Sequence, residues 1–275
     1  MNREKILLTM PESWEGLHTS YIQEALDRCR FQGGEVVLLD GEWHSGSVRM
    51  YSNTTLRLSA GTVLIASDKM EDYENFHVPS TLGYLKSPWV IEAWHLAEHY
   101  ILAPIVAFDA ENVIVRNCRL NTACNTFRFG GKNLLVENCR FWGPGEYPHR
   151  ISGRHNTLCA FLYYAMCYDD IRVDSENWLI RNCTMENLDC LFDYRYGADF
   201  PHNARPLRDV TFENVTMTGF VKPAVFNPVP GNALTVTMRN VTMSRREGVH
   251  MERMFLTSPD VKLILENTQI DGLNA

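Results

Sequence analysis

The chain has 275 residues, a formal net charge of −7, 45% hydrophobic and 21% charged residues, a globular balance with ample material for a core. The negative total excludes a nucleic-acid binder acting through its overall field, although a local arginine cluster can still line a cleft. No apolar run approaches the length of a membrane span, and Ile6-Leu7-Leu8, broken by Thr9 and Pro11, is too short for a signal-peptide core. A soluble, cytoplasmic protein without nucleic-acid or membrane partners is therefore expected.

The first element is a helix. Ile22, Ala25, Leu26 and Cys29 fall on one helical stripe, Ser20-Tyr21-Ile22-Gln23 reads as a capping box, and Gly33-Gly34 ends the segment. Strand-like runs follow at 35–39, 46–50, 55–58 and 62–65. A short amphipathic helix ahead of the first strands suits a plug over an exposed sheet edge. The segment 71–107 departs from this pattern and is rich in aromatic and charged residues; it reads as a coil with a long loop or as a small subdomain. Its His95 and His99 are expected to be packing residues.

From residue 112 one phrase returns. Asn112-Val113-Ile114-Val115-Arg116-Asn117-Cys118 is echoed by Asn133-Leu134-Leu135-Val136-Glu137-Asn138-Cys139 and by Asn177-Trp178-Leu179-Ile180-Arg181-Asn182-Cys183. Three later copies carry Asn214, Asn240 and Asn267. The marker asparagines 117, 138, 182, 214, 240 and 267 are separated by 21, 44, 32, 26 and 27 residues. Each copy alternates apolar with polar residues, and a period in the twenties with one strand per unit is a solenoid signature. The expected fold is all-β, a single-stranded right-handed parallel β-helix with an N-terminal capping helix. It spans 1–275 as one domain, with 1–34 as N-terminal segment and helix and 35–275 as coils.

Equivalent residues then stack at about 4.8 Å. The asparagines are expected to satisfy backbone groups at a bend. The 44-residue interval holds either a loop insertion or an extra coil. Cys118, Cys139 and Cys183 share one phase and read as small buried apolar residues. Among the eight cysteines there is no Cys-x-x-Cys pair, so no metal site and no cofactor are expected. The last coil shows no cap, which leaves self-association through the C-terminal end or a loop folding back.

Carboxylates and arginines gather in the later coils. In Cys190-Leu191-Phe192-Asp193-Tyr194-Arg195-Tyr196, inward aromatics leave Asp193 and Arg195 facing out. The same alternation turns Asp170, Arg172 and Asp174 outward. The preceding loop, 143–155, adds His149, Arg150, Arg154 and His155 as a substrate wall or as plain surface.

Residues 22–27, the Gly33-Gly34-Glu35-Val36-Val37 turn, Gly41-Glu42-Trp43 and the run Ser52-Asn53-Thr54-Thr55-Leu56-Arg57-Leu58-Ser59-Ala60-Gly61 resemble the opening of glycoside hydrolase family 28. This is the polygalacturonase and rhamnogalacturonase group of pectin lyase-like β-helices. The resemblance implies that Cys167-Tyr168-Asp169-Asp170 stands where the family has Asn-Thr-Asp-Gly, and Asn187-Leu188-Asp189-Cys190 where it has Gly-Asp-Asp-Cys. Asp169 and Asp189 are retained, whereas the family's general acid is replaced by Leu188. The Gly-His-Gly loop has only His202 nearby, and Lys222 lies in roughly the coil of the Arg-Ile-Lys strand.

Hydrolysis of a glycosidic bond needs two carboxyl groups, one protonated and one ionised. The expected catalytic set is Asp169, Asp189 and Asp193, with Asp193 replacing the acid lost at Leu188. Asp170, Arg172, Arg195, His149, Arg150 and His202 are the expected substrate contacts, and the arginines suit uronate carboxylates. The substrate would be a pectin-like or other uronate-containing polysaccharide or oligosaccharide. Two alternatives stay open. One is a lyase or epimerase in which Tyr194, Arg195 or the 149–155 loop removes a proton; the other is a glycan-binding β-helix without catalysis.

Overall fold

The computed structural model describes residues 4–11, 15–67, 69, 72, 105–123, 125–146, 148, 153–163, 173–195 and 206–275. It is built of strands stacked in parallel register, the arrangement of a parallel β-helix. Three faces run along the stack.

The first face contains β1 (Glu4–Leu8), β2 (Gly34–Leu38), β4 (Thr54–Leu58), β7 (Ile114–Arg116) and the second half of β9 (Asn125–Glu137). It continues through the first halves of β12 (Glu176–Glu186), β14 (Asp209–Phe220) and β16 (Leu234–Arg245), and ends on β18 (Val261–Glu266). The second face holds β8 (Arg119–Asn121), β10 (Arg140–Trp142), the later halves of β12, β14 and β16, and β19 (Gln269–Ile270). The third runs from β6 (Ile105–Glu111) through the start of β9 to β11 (Cys159–Tyr163), β13 (Cys190–Arg195), β15 (Ala224–Asn227) and β17 (Phe255–Thr257). A separate parallel pair, β3 (Gly41–Ser45) and β5 (Thr62–Ala66), stands near the start.

In-register stacking turns each inward position into a row of like residues. Val36, Leu56, Val115, Val136, Ile180, Phe212 and Met238 form one such row, all buried. Behind the third face, Phe127, Phe161 and Phe192 stack at ring-centroid distances of 5.2 and 6.3 Å, and Phe226 follows at 5.1 Å. Each such side chain removed from water stabilises the fold by roughly 2–3 kcal/mol. Cys118, Cys139 and Cys183 occupy one row, succeeded by Val215 and Val241. Hydrogen bonding along the row together with burial pushes the Cys139 and Cys183 thiols well above the ordinary range. They therefore act as packing groups rather than nucleophiles.

The repeated asparagines do something other than cap backbone groups. All of them adopt left-handed backbone conformations, with φ between 48° and 60° in Asn117, Asn138, Asn182, Asn214, Asn240 and Asn267. Their side-chain amides bond to one another from coil to coil. Asn138, Asn182, Asn214, Asn240 and Asn267 each donate to the preceding member's Oδ1 at 3.3, 3.2, 3.0, 3.0 and 2.8 Å. A parallel ladder joins Asn53, Asn112, Asn133 and Asn177. Asparagine tolerates the left-handed region better than most non-glycine residues, and its short side chain carries both an amide donor and a carbonyl acceptor. Because Asn182 bonds directly to Asn138, the 44-residue interval is one coil with an insertion and no extra coil.

Beside the asparagine bend on the first face runs a ladder of charge. Arg116, Glu137, Arg181, Glu213, Arg239 and Glu266 follow one another in register. Glu137 is 5% exposed and is clamped by Arg116 and by Arg181 at 2.7 Å. Burial works to raise its pKa, but the two guanidinium groups outweigh it and the carboxyl titrates below its ordinary value.

The N-terminus differs from expectation in three ways. β1 precedes the helix and pairs with β2, so the stack begins at Glu4 rather than at residue 35. The helix α1 (Thr19–Arg28) starts one residue before Ser20, with His18 at its N-cap. No capping box forms: the His18 ring turns away to accept from the His44 N–H at 3.0 Å, and Thr19 Oγ1 accepts from the Gly46 N–H at 2.7 Å. The helix also stops at Arg28, before Gly33-Gly34; Gly33, at φ 73°, instead makes the turn into β2. The buried stripe of Ile22, Ala25, Leu26 and Cys29 is as the spacing predicts. At the far end, β20 (Leu273–Asn274) folds back antiparallel on β19.

The asparagine ladder makes a quantitative prediction. Asn214→Ala loses two amide bonds and places alanine in a left-handed conformation, so it should cost about 2 kcal/mol in urea unfolding. Asn214→Gly removes the same bonds without the backbone penalty and should cost roughly half as much. Equal losses would show that the backbone conformation contributes nothing.

Candidate active site

Asp189 immediately precedes β13, and its position is fixed by the coils on either side. Its N–H donates to Thr157 O at 2.8 Å, while its carbonyl accepts from Val221 N at 3.0 Å and Lys222 N at 2.8 Å. The side chain follows the same pattern. Oδ2 accepts from Asn156 Nδ2 at 2.9 Å and from Lys222 Nζ at 2.7 Å. Asn156 and Lys222 lie 33 residues before and after Asp189, so one site on three successive coils supplies an amide, a carboxylate and an ammonium. The Asp189 side chain is only 9% exposed, whereas that of Lys222 is 55% exposed.

Further along β13, Phe192 and Tyr194 enter the core, and Asp193 and Arg195 share the opposite face. Arg195 Nε reaches Asp193 Oδ1 at 2.6 Å. The neighbours of Asp193 in register are Leu162 on β11 and Val225 on β15, both buried. Cys159, Leu162 and Cys190 form a small apolar cluster of their own beside the main core. In these surroundings burial pushes the Asp193 carboxyl above the ordinary range, against the opposing pull of Arg195 and of Lys222. Lys222 thus acts on both acids.

Of the expected residues, Asp193 pairs with Arg195 at 2.6 Å, and Asp189 lies four positions earlier on the chain, with Lys222 acting on both acids. Asp169, Asp170, Arg172, His149, Arg150 and His202 lie outside the described residues. Asp174 is engaged by Arg208, whose Nη2 lies 3.3 Å from its Oδ2. His155 is exposed, with Nδ1 3.1 Å from Gly145 O. Leu188 is fully buried in the core, so that position faces inward and has no room for a cleft carboxylate. Tyr194 is likewise fully buried, which removes it as a proton-abstracting base on a substrate. Asn156 and the contact of Lys222 with Asp189 were not expected from sequence; the equal 33-residue spacing about Asp189 is the signal that points to them. Among the described residues no cluster of His, Cys, Asp and Glu could hold a metal ion.

Comparison with known proteins gives structural likeness only. No family model and no curated protein matches the chain. A provisionally assigned glycosyl hydrolase from Parabacteroides merdae is 14% identical, with 97% of this chain and 99% of that one covered and a TM-score of 0.44. A family 28 exopolygalacturonase from Yersinia enterocolitica is 13% identical over 99% of this chain and 80% of its own, with a TM-score of 0.32. A polygalacturonase from Erwinia carotovora is 14% identical over 98% of each chain, with a TM-score of 0.40. Likeness at this level decides neither the activity nor the residues that carry it.

The proton on Asp193 links pH to stability. Its folded pKa is raised, so its stabilising contribution is full below the ordinary carboxyl range and is lost as pH rises through the folded value. Asp193→Asn should therefore be more stable than the parent at pH 7, with the difference closing toward pH 3. Urea unfolding at the two pH values measures this, and a parent more stable at pH 7 would show that the Arg195 pair outweighs burial.

Proposed function

We propose that residues 1–275 form one right-handed, pectin lyase-like β-helix that hydrolyses glycosidic bonds in an acidic, pectin-like polysaccharide or oligosaccharide. The observation that carries this reading is a pair of acids, Asp193 on β13 and Asp189 just before it, in contrasting surroundings. Asp193 lies between the buried Leu162 and Val225, and its burial raises its affinity for a proton. Asp189 accepts hydrogen bonds from an ammonium and an amide. Two carboxyl groups whose environments differ in this way suit division into acid and base.

In this scheme Asp193 donates its proton to the leaving-group oxygen as the glycosidic bond breaks. Asp189 accepts a proton from the water that attacks the anomeric carbon, so the products are two sugars with one new reducing end. Lys222 and Asn156 hold the Asp189 carboxylate in a fixed orientation. Arg195, more than half exposed and adjacent to Asp193, is placed to meet a uronate carboxylate. The resemblance of residues 22–61 to the opening of glycoside hydrolase family 28 supports the same substrate class.

One observation favours a second reading. Lys222 and Asp189 are closely paired, and Leu188 gives the cleft no carboxylate, which also suits a β-helix that binds an acidic glycan without cleaving it. Incubation of the purified protein with polygalacturonate and other acidic oligosaccharides, following reducing ends and ultraviolet absorbance, separates the readings. Hydrolysis predicts new reducing ends without an unsaturated product, and a fall of about 10²-fold or more in Asp189→Asn and in Asp193→Asn. An absorbing product would assign the site to a lyase. Saturable binding without turnover, retained in both variants, would establish the binding protein.

A further inference from the structure

The charge ladder of the first face contains one break. From Arg116 to Glu266, every charged residue faces one of opposite sign in the next coil. One coil earlier Arg57 stands in register with Arg116, two guanidinium groups on neighbouring parallel strands about 4.8 Å apart. The nearby acids are already engaged. Glu137 is shared between Arg116 and Arg181, and Glu35 lies 3.3 Å from Lys5 Nζ and only 3.5 Å from Arg57 Nη1. The Nε of Arg57 is buried and has no hydrogen-bond partner among the described residues. Val37, in register with Arg57 on its other side, is buried and offers no acceptor from its side chain.

We propose that Arg57 and Arg116 form a binding site for a small oxyanion, a phosphate, sulfate or carboxylate group, on a face separate from the Asp189–Asp193 site. Such a group supplies two or more acceptor oxygens and takes parallel N–H donors from guanidinium forks. Seated between the two side chains, it supplies the negative charge that Glu137 supplies to Arg116 and Arg181 in the following coils. The buried Val37 and the half-buried Ile114 beside the pair limit competition from water. The acid group of a glycan and a free inorganic anion present the same chemistry, and the site does not depend on any activity at β13.

Calorimetry and thermal melts of the full chain test this, with inorganic phosphate and free glucuronate compared against sodium chloride at equal ionic strength. The parent should bind phosphate saturably and melt higher in its presence. Arg57→Gln should bind about tenfold or more weakly, the loss expected for charge-assisted hydrogen bonds. Arg57→Glu, which supplies the missing acid from within, should respond to neither anion; far-ultraviolet circular dichroism checks that both variants are folded. Binding of glucuronate alone would support the site and assign it to carboxylates. No saturable binding by the parent, or a response kept in both folded variants, would overturn the proposal.

Discussion

The bond between one asparagine amide and the next sets the register of the whole stack. At each bend the chain must turn sharply into a left-handed conformation, and it must do so at the same height in every coil. An asparagine ladder meets both needs, since the residue tolerates the conformation and its amide measures register against the coil before it. A slip of one residue would break these bonds and would turn the inward rows of valine, phenylalanine and methionine toward water. The adjoining charge ladder reinforces the same register, because Glu137 meets two arginines only when three coils are aligned.

Register is also what makes the candidate site. Coil length is free to vary, and the interval from Asn138 to Asn182 shows how much can be inserted between two bends that still bond directly. The third face receives the chain after such variable segments, yet Asn156, Asp189 and Lys222 meet because their spacing matches across two intervals. Site chemistry is thereby separated from fold stability. The bends and inward rows hold the stack, while the outward positions of β11, β13 and β15 combine Leu162, Asp193 and Val225 in one row. An acid set between two apolar neighbours loses solvation, and that loss raises its affinity for a proton.

Much of the fold was legible because strands stacked in parallel register repeat like positions and so write a period into the sequence. The marker asparagines, the alternating strands, the cysteine row and the helical stripe of Ile22, Ala25 and Leu26 all followed from periodicity. The details that did not follow are those in which a side chain chooses a distant partner. His18 turns to His44 and Thr19 to Gly46, so the expected capping box at Ser20 gives way to contacts with a strand more than twenty residues on. β1 was hidden because Glu4–Leu8 is one short strand with no sequence repeat to mark it. Within the site, alternation placed Asp193 and Arg195 on the outer face, but it could not show that Lys222 reaches Asp189. The inward direction of Leu188 explains why that position carries leucine.

Coil register brings residues 33 positions apart into one polar cluster, and a double-mutant cycle on Asp189 and Lys222 measures whether they interact there. Unfolding free energies would be measured for the parent, Asp189→Asn, Lys222→Met and the double variant. A coupling of roughly 0.5–3 kcal/mol is expected, as for charged partners in contact. Additivity within about 0.3–0.5 kcal/mol would contradict it, because residues that behave independently do not share a site.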